Sequence, residues 1–217
     1  MRGPQQSRRA GPSGVSLAAV PVLASVLTLA LVAAPGESRG REVTLDVPWS
    51  VPVIHTAALF TGMRITEAVL WPEPFADTDL GEIGRHYREA YTRPPVFDPD
   101  RRAFEWDGDH WTLNVAGHGL LGSELYFRPR RCGASVLGSL AFAAGASAVW
   151  EYGFEASGVR PSALDLVYTP LAGIVIGEAR YVGYQAAGGI SNRTLRGVVR
   201  TLLDPFGELE RAAGTPC

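Results

Sequence analysis

Lysine is absent from this chain: all twenty of its Lys-plus-Arg residues are arginine. That excludes Schiff-base chemistry on a lysine amine and the lysine of a phosphate-binding loop. Cysteine is scarce. Cys132 and Cys217 have no neighbour at the spacing of a metal-ligand or redox pair, so two unpaired thiols are expected. The alternative is a disulfide tying the last residue to a helix start in an oxidising compartment. An excess of positive charge is lacking as well. The formal net charge is -2 and the arginines are scattered among acids, which argues against a nucleic-acid partner. Charge of either sign is missing from Cys132 to Trp150. That stretch has the length of a membrane span but is rich in Ala, Gly and Ser, whose small side chains let helices approach closely. It reads as a buried central helix of a compact bundle lying at or in a membrane.

What is present begins with a leader. Arg2, Arg8 and Arg9 precede an uncharged apolar run from Val15 to Ala34 that closes on small residues. This is the pattern of an export signal, or of a membrane anchor if it is not cut. Residues 1–40 are therefore set apart as signal or anchor plus linker, and 41–217 as a single helical domain. Without residues 1–40, which hold four arginines and Glu37, the remainder is more acidic still.

The fold class expected is mainly α, a bundle of about five or six helices. Apolar periodicity and Pro punctuation place helices at Val51 to Leu70 and Leu80 to Tyr91. Further helices fall at about Trp111 to Phe127, Ala134 to Ala156, Ser162 to Ala187 and Arg193 to Leu203. A short β-hairpin over Val96 to Trp106 would turn at Asp98-Pro99-Asp100.

Within the most apolar part of the chain sits a string of polar residues whose burial would be costly without partners. Asn114 and His118, four apart, would share one helix face. They read as a positioning amide beside a base or ligand, or as a core histidine on a backbone carbonyl. Glu151 and Glu155 would also share a face, where paired carboxylates raise one another's pKa or hold a cation. Ser162 and Asp165 have the spacing of a helix cap, and Asp165 could instead face inward toward Thr169. Pro170 is expected to kink its helix. Gly173 and Gly177 follow, making a groove for another helix or a lipid-like chain. Glu178 falls on a different face of a regular helix. If these carboxylates converge they must be protonated, open to water or joined by a cation, whose identity the sequence leaves unknown.

At these residues the chain resembles a bacterial envelope family of unknown function. The motifs are Asn114 to His118, Trp150 to Glu155, Pro161 to Gly173 and Gly177-Glu178, within a core of about 106–205. More distantly, the order of His, Glu, Ser-x2-Asp and Gly is similar to helical membrane proteins of the VanZ type. The resemblance implies an exported, envelope-associated helical domain and carries no established activity. A scaffold or binding role for an internal polar cluster is the leading expectation, with membrane lipid or an envelope component as partner. The alternative is a hydrolase acting on a lipid-linked or phosphate-bearing envelope substrate. In it His118 and Glu151 serve as acid and base, and Glu155 and Asp165 orient them or bind a cation. Asn114, Ser162, Thr169, Gly173 and Gly177 would then line the substrate site.

Overall fold

The structure, a computed structural model, describes residues 47–212, 214 and 217. The leader and anchor reading of residues 1–40 lies outside the described residues. Helix α1 spans Ser50–Leu70, followed by the short α2, Pro72–Phe75, and by α3, Leu80–Thr92. After a long loop come α4 (His118–Arg131), α5 (Val136–Val149), α6 (Ala163–Ala172) and α7 (Glu178–Ala186). The chain closes with α8 (Arg193–Leu203) and α9 (Pro205–Ala212). The protein is mainly helical as expected, with somewhat more helical segments among the described residues than the five or six foreseen.

Helix starts follow local chemistry. Asp79, Ser135, Ser162 and Asn192 each cap a helix by accepting a backbone N–H two or three residues on. α4 is the centre, and every residue from Leu121 to Arg130 is wrapped by neighbours rather than water. It packs against α5, α6 and the turn after α6. Glycine makes the crossing possible. A Cβ on Gly173 would lie 2.6 Å from the Gly122 carbonyl oxygen, and one on Gly177 would lie 3.0 Å from that of Ser123. These two glycines are thus taken up by helix packing. α1 packs on α4 and on the turn after α5, where Phe60 meets the tilted ring of Trp150 at a centroid distance of 5.1 Å, and Trp49 just before α1 stacks on Phe142 of α5 at 5.9 Å.

The expected hairpin over Val96 to Trp106 does not form. One backbone bond, Asp98 N–H to Trp106 O at 2.7 Å, closes the loop. Val96 pairs instead with the chain at Ser162, through Val96 N–H to Pro161 O at 2.7 Å and Ala163 N–H to Val96 O at 3.1 Å. The reason is competition for backbone and rings. Asp98 accepts from Asp100 N–H, the Phe104 carbonyl is used by Asn114, and Phe97, Trp106, Phe104 and Tyr168 form a continuous chain of ring contacts.

The expectation of free thiols is also corrected, since Cys132 and Cys217 form a disulfide that fastens the C-terminal residue to the end of α4. Beside it a buried ionic network holds α8 and α9. Arg128 binds Glu124 and Asp204 at 2.9 Å and Glu210 at 2.7 Å. His55 on α1 reaches Glu124 at 3.1 Å and Glu210 at 2.9 Å.

Candidate functional site

Among the described residues, three helical turns of π type interrupt the bundle, at Leu113–Gly117, Trp150–Phe154 and Gly173–Gly177. A π turn closes on the residue five back and so inserts one residue into the helical phase; such turns are frequent at functional sites. Here the His118 N–H bonds the Leu113 carbonyl and the Glu155 N–H bonds that of Trp150. The regular i, i+4 stacking expected of Asn114 with His118, and of Glu151 with Glu155, is therefore broken. Each residue of a pair is sent to a different partner.

His118, Glu151 and Asp165 converge. All are buried, and one ligand atom from each lies within 4.8 Å of the others. His118 Nδ1 is 3.0 Å from Thr169 Oγ1, and its Nε2 is 3.5 Å from Asp165 Oδ2. The hydroxyl of Thr169 can accept the Nδ1 proton, which leaves a bare Nε2 lone pair aimed at a carboxylate. Glu151 Oε2 accepts the Ser162 N–H at 2.7 Å. Glu151 Oε1 and Asp165 Oδ1 are buried with no hydrogen-bond partner.

Asp107, which the sequence reading passed over, organises the surroundings. It accepts from Asn114 Nδ2 at 2.8 Å and from Ser162 Oγ at 2.7 Å. The same Ser162 hydroxyl accepts the Asp165 N–H at 3.1 Å, so Ser162 both caps α6 and links two aspartates. The signal available in the sequence was weak, because Asp107-Gly108-Asp109 reads as a turn and nothing in its spacing points to Asn114 or Ser162.

The electrostatics follow from the geometry. Burial pushes the Glu151 carboxyl up to about 8, with the Asp165 charge adding to it. Burial likewise lifts Asp165 to about 8, helped by Asp107. Burial lowers His118 to about 4, against the pull of Asp107, so its ring is neutral at pH 7. Burial alone would raise Asp107, but the hydrogen bonds from Ser162 and Asn114 outweigh it and hold this carboxylate below its usual value. Glu155 stands outside the trio. Burial raises it well above the ordinary range, and Glu151, Glu67 and Asp109 all push in the same direction.

Further along α4 the buried acids Glu124 and Glu178 are treated differently. Burial would raise Glu124, yet His55, Arg180 and Arg128 bring it down to about 2. Glu178 lies bidentate on Arg130, with Nε to Oε2 and NH2 to Oε1 both at 2.9 Å, and accepts from Tyr126 at 2.6 Å. Glu178 is thus part of a structural pairing with α4. In the trio no arginine takes that place: no ion pair between an arginine and Glu151 or Asp165 occurs among the described residues.

Of the expected site residues, the structure brings together Asn114, His118, Glu151, Ser162, Asp165 and Thr169. It places Glu155 beside them and spends Gly173 and Gly177 on the α4 crossing. No curated protein and no solved structure matches this chain. Residues 103–206, which hold the whole of this constellation, match the family model of a domain of unknown function, DUF3943.

Proposed function

We propose that this chain is an exported, membrane-associated helical protein of the cell envelope whose buried polar cluster has a binding role. The observation that carries it is an inverted distribution of polarity. No exposed residue of α1 is charged: Val53, Ile54, Ile65, Val69 and Leu70 face outward, while His55, Arg64 and Glu67 are turned inward. α5, whose Phe142 stacks on Trp49, has no charge at all and exposes Leu137 and Val149. Even the exposed hydroxyls of Thr61 and Thr66 are satisfied within α1, by the carbonyls of Ala57 and Gly62 at 2.8 Å. Large exposed apolar faces over an ionic interior suit hydrocarbon better than water. Trp49 and Trp71 at the two ends of α1 suit the lipid–water interface.

No described helix is long and apolar enough to cross a membrane, so the surface proposed is one that dips into lipid. The leader and the disulfide support export, because a disulfide persists in oxidising compartments. The test is a set of single spin labels at positions 54, 65 and 137, with position 88 on the charged α3 as reference, in membranes carrying the full chain. Contact of the first three with lipid-borne relaxation agents is expected. Equal access of all four to a water-soluble agent would defeat the membrane assignment.

A second reading, a hydrolase acting on a lipid-linked or phosphate-bearing envelope substrate, draws on the two carboxyls held near pH 8 beside a neutral imidazole. Those are the states required of a general acid and a general base.

A further inference from the structure

We infer that His118, Glu151 and Asp165 form a site for one divalent first-row transition-metal ion, with coordination positions left open for water or substrate. This names the ligand of the same buried cluster, and so rests on its binding role but not on the membrane assignment.

The first ground is donor geometry. Ligand atoms bound to one such ion lie about 2.0–2.2 Å from it, hence at most roughly 4.4 Å from each other. The three atoms here lie within 4.8 Å of one another, near enough for small side-chain rotations to bring them onto one ion. The second is that each of the two carboxyl groups carries a buried oxygen left without a partner. Glu151 and Asp165 are 0% and 2% exposed, yet Oε1 of one and Oδ1 of the other meet no donor. Buried oxygens in that condition are costly unless something else satisfies them.

The outer contacts are those a metal site uses. Thr169 holds His118 by Nδ1 and leaves Nε2 facing the carboxylates. The Ser162 N–H fixes Glu151 by its other oxygen, and Asp107 holds Ser162. Such second contacts set ring orientation and ligand basicity. Charge balance points the same way. Two carboxylates and a neutral imidazole around a divalent ion sum to zero, whereas the buried acids Glu124 and Glu178 are neutralised by arginine instead. One nitrogen and two oxygen donors without thiolate favour zinc, manganese or iron over calcium or magnesium. Three protein ligands are the number found where a metal also binds water.

The experiment uses the full-length protein, purified in detergent and stripped with chelator, then titrated with Zn2+ or Mn2+ by calorimetry and by thermal unfolding. One ion per chain and a higher unfolding temperature are expected. Co2+ should give the visible absorption of a mixed nitrogen and oxygen site. Glu151→Gln and Asp165→Asn should weaken binding at least 100-fold, and Thr169→Val, which removes only the hydrogen bond to His118, by about 10- to 100-fold. Glu124→Gln, midway along α4 and paired with Arg128 and Arg180, should leave metal affinity unchanged. If a variant does not fold, the remaining ones and the Co2+ spectrum still decide. Absence of saturable binding by the wild type overturns the inference, and so does binding that Glu151→Gln, Asp165→Asn and Thr169→Val leave intact. Neither result touches the lipid-contact measurement, which tests the membrane assignment separately.

Discussion

The Ser162 hydroxyl donates to Asp107 at 2.7 Å and joins the loop before α4 to the first turn of α6. A single contact thereby couples a segment without regular structure to the helix that carries Asp165 and Thr169. Asp107 also receives Asn114, so one carboxylate holds donors from two elements.

Removing that carboxylate should therefore loosen both elements. Asp107→Ala leaves the Ser162 hydroxyl without its acceptor, while Asn114 keeps only the Phe104 carbonyl among the bonds described. A loss of about 1–3 kcal/mol is expected, the usual cost of stranding buried donors. Denaturant unfolding measures it, and an unchanged midpoint would show that the loop does not hold α6.

Glu124 on α4 and Glu151 in the π turn after α5 should answer differently to the loss of a buried charge. Glu124→Gln takes a carboxylate from Arg128, Arg180 and His55 and should destabilise by about 3–5 kcal/mol. Glu151→Gln in metal-free protein removes a group with no cationic partner and keeps an oxygen for the Ser162 N–H. Stability there should stay level or rise. Equal losses in the two variants, compared in the same denaturant series, would contradict the account of the trio as an unneutralised cluster.

A pH dependence follows from His55. Burial would lower its pKa, but hydrogen bonds to Glu124 and Glu210 outweigh burial and the nearby Arg128 and raise it above 6.5. The folded state then holds a proton that the unfolded chain gives up. This stabilisation is complete below about pH 6.5 and disappears as the pH climbs through the raised value. Glu151 and Asp165 also disfavour folding as they ionise, so the comparison must be between wild type and His55→Gln. The difference in unfolding temperature between the two should shrink from pH 6 toward alkaline pH. A constant difference would mean that folding does not raise the His55 pKa.

Much of the frame was legible in the chain itself. The helix over Arg193 to Leu203 has the bounds expected, and those at Ser50–Leu70 and Leu80–Thr92 differ by one residue at one end, because periodicity and caps are local properties. The hairpin failed because tertiary partners took up the groups a ladder needs. The disulfide was missed because 85 residues separate the two cysteines, and only the return of α9 to the end of α4 brings them together.

The sequence by itself determined that ionisable residues would be buried among apolar helices, since their neighbours allow no other placement. It also determined the caps, the small residues at the crossing and the lack of any lysine. Which polar residues meet was decided by the tertiary structure. Two π turns shift the phase of the helices carrying Asn114 and Glu151, and the loop before α4 delivers Asp107 from outside any periodic pattern. Convergence depends on where whole helices cross, and the crossing is set by contacts such as Gly122 on Gly173, 51 residues apart in the chain.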